Sequence, residues 1–431
     1  MRALILASIV LCACGNSSAS DDAGSDGAPA GDAGFDGTLA DGDANVPDDG
    51  GGPFDAGCGT GILTQLSATP GAVVSGSIAH AGNDDALAVW FQYDSADGGT
   101  SGAMYGAEHQ GCTWGAPVQI EKWSNLVVPH PPVVVANGST FVMLRWLGDF
   151  PPKVWTGSGV TPATGTFGDG LLGSDGTTFV DVTYNNLPGY SSMTSTDGLT
   201  WTPAAQAETV GSFEQLASGP GGVLAWSYDG STQQARARVW RKGAWSAPAL
   251  LPSNGFGSCV AAVGNADAAI LCRGPNPGDG GPNYLDVELF DGSWHDLPPP
   301  VQTGFISALL LATDGTDYRL DDGITPMGTI LHAGAWSTTV SDSIDAYGTA
   351  GRSGQWTAMK VDVQTGYSIS RAAGLTGFPA PTSLVPQKIP IGTWIGSYGA
   401  PFSGWPGRTD VAFVDLSGDG GVNTLYVALD L

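Results

Sequence analysis

Gly243-Ala244-Trp245-Ser246-Ala247-Pro248 is one copy of a short phrase that returns along the 431-residue chain. Gly111-Cys112-Thr113-Trp114-Gly115-Ala116-Pro117, Gly198-Leu199-Thr200-Trp201-Thr202-Pro203, Gly292-Ser293-Trp294 and Gly334-Ala335-Trp336 are others. The spacing is 42 to 49 residues once the interval of 87 between Trp114 and Trp201 is counted as two steps. The absent member falls at Gly159, Val160 and Pro162, and the step after Trp336 lands on Phe378 with Pro381 behind it. Between markers the chain parses into four short strands, A to D. The clearest set is Gln215 to Ser218, Val223 to Tyr228, Ala235 to Trp240 and Ala244 to Leu250, with Gly-rich or polar turns between them. Another marker region reads the same way, with Ala86 to Tyr93 as B, Gly102 to Glu108 as C and Trp114 to Ile120 as D.

Four-strand units at this period are the sign of radially repeated sheets, so the predicted fold is an all-β propeller of four-stranded blades. No stretch after residue 60 sustains a helical period, and 66 Gly with 29 Pro oppose long helices. Seven markers close seven sheets at their outer strands. An eighth begins after residue 391, with Asp410 to Asp415 as B and Asn423 to Leu429 as C. Its outer strand is expected from Ile62 to Ala68, so that strands from both termini close the ring and remove exposed edges. Eight blades are favoured, with seven next because 391–407 also reads as a cap instead of an A strand.

Residues 1–14 read as an export signal: Met1-Arg2, an apolar run from Ala3 to Leu11 too short to span a bilayer, then Cys12-Ala13-Cys14-Gly15. Residues 15–57 are rich in Asp, Gly, Ala and Ser, with ten Asp and no Lys or Arg. Such a segment buries too little apolar surface to fold and self-repels, so it reads as an extended tether to a domain at 58–431. The whole chain has a formal net charge of −26, and the domain stays strongly acidic without its leader. That composition disfavours nucleic acid and anionic lipid as partners.

Four cysteines lie beyond the tether, Cys58, Cys112, Cys259 and Cys272. An even number in an exported chain points to disulfides, buried thiols being the alternative. A two-residue Asn265-Ala266 loop makes Gly264 and Asp267 a hydrogen-bonded pair, and alternation then sets Cys259 opposite Cys272 at a non-hydrogen-bonded site. Cα atoms there approach to roughly 4.5 Å, within disulfide range. Cys58 with Cys112 follows by elimination.

The junction Leu11-Cys12-Ala13-Cys14-Gly15 resembles the lipobox of bacterial lipoproteins. The resemblance implies lipid on Cys14 and, with Gly15 following, sorting to the outer membrane, the membrane being met only through the anchor. Ser195-Thr196-Asp197-Gly198-Leu199-Thr200-Trp201 resembles the Asp-box of the bacterial neuraminidase repeat of sialidase-like propellers, one residue shorter between Asp197 and Trp201 than usual. In that family the box is structural: Asp accepts backbone N–H bonds, Gly takes a positive φ, and Trp packs between sheets. The sialidase Arg-Ile-Pro motif is absent, and the first arginine after Arg2 is Arg145, so no catalytic residue carries over. Asp415, Ser417, Asp419 and Asn423 resemble the calcium loops of integrin-type repeats, with an ordinary hairpin as the alternative. Ca²⁺ is thus the one cofactor the sequence suggests.

Arg236, Arg238 and Trp240 share one face of a C strand by alternation and are candidate contacts for an acidic sugar or a partner's carboxylates. A solvated face whose Arg stems cover apolar surface is the competing reading. His80, His109, His130, His295 and His332 are scattered without ligand spacing. The expected function is a lipid-anchored, monomeric binding module of the cell envelope for glycan or protein, without catalysis. A propeller glycoside hydrolase or polysaccharide lyase with dispersed catalytic residues, and a scaffold of an envelope complex, are the rival classes.

Overall fold

The computed structural model describes residues 64–66, 73–81, 85–94, 101–124, 132–144, 151–165, 167, 169–184, 190–204, 212–253, 259–274, 285–300, 309–322, 327–337, 340–342, 348–352, 355–362, 366–380, 382–383, 411–415 and 424–428. Among these there is no helix, and the strands form eight antiparallel sheets. The fold is an all-β propeller of mostly four-stranded blades.

Strands A to D of blade 2 are Val133–Asn137, Thr140–Leu144, Lys153–Trp155 and Val160–Pro162. Those of blade 3 are Asp169–Ser174, Phe179–Tyr184, Tyr190–Ser195 and Thr202–Pro203. Blade 5 runs Cys259–Val263, Ala268–Arg273, Leu285–Phe290 and Trp294–Leu297, and blade 7 runs Gly348–Arg352, Gln355–Asp362, Gly366–Ala373 and Thr382–Ser383.

In three blades strand D is broken in two. Blade 1 has Val73–His80, Ala86–Tyr93 and Gly102–Gln110, then Thr113–Trp114 and Val118–Trp123. Blade 4 has Ser212–Gly219, Gly222–Asp229 and Gln234–Arg241, then Ala244–Trp245 and Ala249–Pro252. Blade 6 has Leu309–Thr313, Tyr318–Asp322 and Met327–His332, then Ala335–Trp336 and Val340–Ser341. The continuous outer strands expected from Trp114 to Ile120 and from Ala244 to Leu250 are therefore interrupted. In blades 1 and 4 the Pro of the phrase, which has no N–H for the ladder, stands in the gap. A serine fills part of the gap. Val239 N donates to Ser246 Oγ at 3.1 Å and Ile330 N to Ser337 Oγ at 3.0 Å.

The eighth sheet takes Val411–Asp415 and Thr424–Ala428 from the C-terminal part and Thr64–Gln65 from the N-terminal part, with Thr64 opposite Val427 and Gln65 opposite Tyr426. The expected inner strand of this blade, after residue 391, lies outside the described residues. From blade 1 to blade 7 each A strand packs beside the next, and Val73–His80 of blade 1 also packs beside Val411–Asp415.

Strand B alternates between its two neighbours. In blade 1, Leu87, Val89 and Phe91 pack toward blade 2, while Ala88 and Trp90 pack with Leu66 on the other side. Trp90, Trp226 and Trp356 are at most 2% exposed, and burying an aromatic of this kind contributes roughly 1.5–3 kcal/mol. At one end of the molecule the A–B turns are tied to one another. Ser174 N donates to Ser218 Oγ at 3.2 Å, Gly221 N to Gly264 O at 2.8 Å, and Asn265 N to Gly315 O at 2.8 Å. Gly315 has φ +100, and a Cβ there would collide with the Asn265 amide, so glycine is required.

Candidate binding groove and interblade sites

The recurring Gly-x-Trp phrase sits at the C–D turns, where each Trp opens an outer strand and reaches back to the preceding blade. Trp245 Nε1 donates to Ser192 Oγ of blade 3 at 3.1 Å, and Trp294 Nε1 donates to Ala247 O of blade 4 at 2.8 Å. Trp155 of blade 2 does the same from a C strand, donating to Glu108 Oε2 of blade 1 at 2.7 Å. Trp201 instead donates within its own turn, to Gly198 O at 2.7 Å. Both Trp245 and Trp294 are half-buried.

Between them lies a concave groove of about 370 Å³. Its walls are Trp245 and Ala247 from blade 4, Phe290 and Trp294 from blade 5, with Arg241 and Ser293 as polar members. Phe290 and Trp294 meet at 5.1 Å between ring centroids, which fixes the Trp294 ring against the sheet. Arg241 Nη1 donates to Ala266 O at 2.8 Å, anchoring the guanidinium at one end. Along strand C of blade 5, on the face that carries Phe290, stand Asp286 and Glu288, with Asp296 opposite Glu288. Burial and the mutual repulsion of these acids raise the carboxyls of Asp286 and Glu288 above the usual range. The groove therefore offers the aromatic pair Phe290 and Trp294, a cation and a nearby acidic edge.

Arg236, Arg238 and Trp240 do share one face, as alternation predicts, but that face looks toward blade 3. Trp240 is 4% exposed and packs with Val180, Val182 and Trp245. Arg236 and Arg238 are half-buried, and Arg238 Nη1 donates to Ser246 O at 3.3 Å. Arg241, on the opposite face, reaches the groove instead.

The Asp197 turn shows how a polar hairpin is held. Asp197 Oδ1 accepts from Leu199 N at 2.9 Å, Thr200 N at 2.8 Å and Ser195 Oγ at 2.9 Å. These bonds, that from Thr200 foremost, hold the carboxyl below its usual range. Ser195 Oγ in turn accepts from Gly198 N at 2.8 Å. Gly198 has φ +71, and Trp201 packs with Val142 and Val154 of blade 2. Two A–B turns use a related device that the repeat reading missed. Asp175 accepts from Thr177 N and Thr178 N, and Asp314 accepts from Thr316 N and Asp317 N. The signal is Ser174-Asp175-Gly176-Thr177 and Thr313-Asp314-Gly315-Thr316.

Cys259 and Cys272 stand opposite each other and are disulfide-bonded, with Cα atoms 4.1 Å apart. Gly264 N donates to Asp267 O at 2.9 Å, the pair from which the register was counted. Cys112 is also disulfide-bonded, while Cys58 lies outside the described residues. Asp415 ends a strand of the eighth sheet, and Ser417, Asp419 and Asn423 lie outside the described residues, as do Cys14 and the whole tether.

A buried charge cluster not anticipated from the sequence joins blades 6 and 7. Arg319 Nε donates to Asp321 Oδ1 at 2.8 Å, and Arg319 Nη1 donates to Thr376 O at 3.2 Å. Its guanidinium also lies 4.1 Å from the centroid of Phe378, the residue that stands at the seventh marker position. Phe378 N donates to Asp342 Oδ1 at 2.6 Å.

No family model matches the chain, and no curated protein matches it. Among solved structures it is similar to the β-propeller domain of the Trilobed protease from Pyrococcus furiosus, at 8% identity and a TM-score of 0.45, covering 84% of this chain and 96% of that one. It is similar to the BP39L lectin from Burkholderia pseudomallei, at 12% identity and a TM-score of 0.43, covering 73% and 100%. It is also similar to BamB from Moraxella catarrhalis, at 11% identity and a TM-score of 0.41, covering 67% and 82%.

Proposed function

We propose that this protein is a lipid-anchored propeller of the cell envelope that binds glycan or protein, with the groove between blades 4 and 5 as a contact site. The observation that carries the reading is Trp294, whose N–H is committed to the preceding blade while the residue lines an open concavity with Phe290 and Arg241. Indole faces suit the C–H faces of sugars and the apolar side chains of peptides, and a guanidinium adds directed hydrogen bonds. The Cys259–Cys272 disulfide supports an exported location, since such bonds persist in oxidising compartments.

The test is glycan-array and envelope-extract binding by the purified protein, compared with Ala244→Trp, which fills the groove from an exposed position on its wall. Binding that the substitution abolishes, with the melting temperature unchanged, supports the reading. Binding unaffected by Ala244→Trp moves the contact elsewhere. Turnover of sialosides, neutral glycosides or acidic polysaccharides replaces it with an enzyme.

A further inference from the structure

One position breaks the pattern of the B strands. When the A–B turns are aligned by their backbone pairing, Asp181 of blade 3 corresponds to Ala88, Met143, Ala225, Ile270, Leu320 and Ala358 of the other blades from 1 to 7. All seven side chains are at most 1% exposed, and Asp181 is the one acid among them. A repeat that buries an apolar side chain six times and a carboxyl once has a reason for the carboxyl.

The surroundings are apolar. Asp181 lies opposite Leu172 of strand A and Met193 of strand C. The blade 2 side chains packed on this face are Val133, Val135, Val142, Leu144 and Val154. Among the described residues no titratable or charged side chain faces it from any of these elements, nor from its own strand, where Thr183 is the polar neighbour. Thr183 Oγ1 donates to Asp181 Oδ2 at 2.8 Å, and Oδ1 has no hydrogen-bond partner. Oδ1 points at Gly170 on the innermost strand, where a Cβ would collide with it. Gly170 is half-buried, and the space its side chain would take is occupied by the Asp181 carboxyl.

We propose that Asp181 is a proton-operated latch between blades 2 and 3. As the neutral acid it seats in the apolar slot with its Thr183 bond intact. When the O–H proton passes to water, the carboxylate is left buried with one oxygen unpaired, and the slot relaxes toward the channel past Gly170 to hydrate it. Burial raises this carboxyl to about 7, so the change falls at neutral pH. The sign follows from proton binding. The unfolded chain releases its proton near 3.8 and the native state near 7, so the native state binds more protons between those values. Stability therefore falls as pH rises through that window and levels off above it.

The test compares wild type with Asp181→Asn and with Asp181→Leu, which copies the residue of blade 6. The measurements are melting temperatures from pH 5 to 8.5 and hydrogen exchange at Val142 and Met193. The expected result is a wild-type melting temperature that drops from pH 5 to 7 more steeply than in either variant and levels off above that, with faster exchange at those two amides at pH 8 in wild type alone. Parallel pH dependence in all three proteins overturns the proposal. If neither variant folds, the ¹³C titration of the Asp181 carboxyl in wild type decides: a midpoint near neutrality supports the latch, and one below pH 5 overturns it.

Discussion

Arg319 Nη2 donates to both carboxylate oxygens of Asp342, each at 2.8 Å, with the two side chains 0% and 3% exposed. The pair joins strand B of blade 6 to the segment that leaves its outer strand, and Asp342 passes the link to Phe378 of blade 7. Two acids share one guanidinium, so removing the cation leaves Asp321 and Asp342 buried without it. Arg319→Leu is expected to destabilise the protein by about 3–5 kcal/mol. Replacing all three residues by apolar ones of similar volume is expected to recover most of that loss, since burying the ions is itself costly. Urea unfolding of the single and triple variants, with attention to separate transitions for different blades, checks both statements.

Removing the Cys259–Cys272 disulfide with Cys259→Ala and Cys272→Ala is expected to cost about 3 kcal/mol in the chain-entropy account, for a sequence separation of 13. A non-reducing peptide map of exported protein should show the 259–272 link, and thermal melts of the double variant should show the loss. Free thiols at both positions would contradict the pairing.

Gly198→Ala should be worse than its size suggests. The residue has φ +71, and its new methyl would meet Val142 and Val154 of the neighbouring blade. Strain and overpacking together are expected to cost about 2–4 kcal/mol, read as a lowered urea midpoint.

Asp197→Asn addresses the same turn through charge. Because the folded carboxyl titrates below 3.8, its contribution is present above that value and is lost as pH falls through the lower folded value. The variant should differ from wild type at pH 6 and begin to converge with it as the pH is lowered beyond 3.8 through the folded carboxyl's range. A constant difference down to that acidity would show that the carboxyl's charge plays no part.

Cys14→Ser is expected to abolish lipid attachment. Detergent phase partitioning of the variant and of wild type measures it, and unchanged recovery in the detergent phase would refute the lipobox reading.

The repeat was legible because every copy of the phrase answers to one local need, a positive-φ turn followed by an aromatic that caps the outer strand. Gly243 has φ +81 and Gly334 φ +77, each with a Trp two residues on. Even the weakened copies were readable, since Val160–Pro162 is a D strand and Phe378 is buried at 1%. The Cys259–Cys272 register could be counted because a tight turn fixes every pair that follows it. Groups that meet across blades left no such trace. Arg319 and Asp342 are 23 residues apart and Trp294 and Ala247 are 47 apart, and nothing local ties either pair. Asp181 could have been noticed by aligning strands from their A–B turns, where it stands as the odd residue. Trp240 was placed on the correct face of its strand, but alternation does not say which neighbouring blade covers that face.

The eighth sheet has one further consequence, for mechanical load. Among the described residues, Thr64–Gln65 is held to its sheet by two residue pairs, whereas the strand it borders, Thr424–Ala428, has five residues paired on its other side. Once the expected Cys58–Cys112 bond is reduced, a pull on the chain ahead of residue 64 loads that short seam before the longer ladders. If the seam peels away, the backbone edge of Val427 and Tyr426 is uncovered, and an uncovered edge can accept a strand from another chain. Tension at the N-terminal side would thus turn a closed-off edge into a docking edge, with the remaining blades still folded.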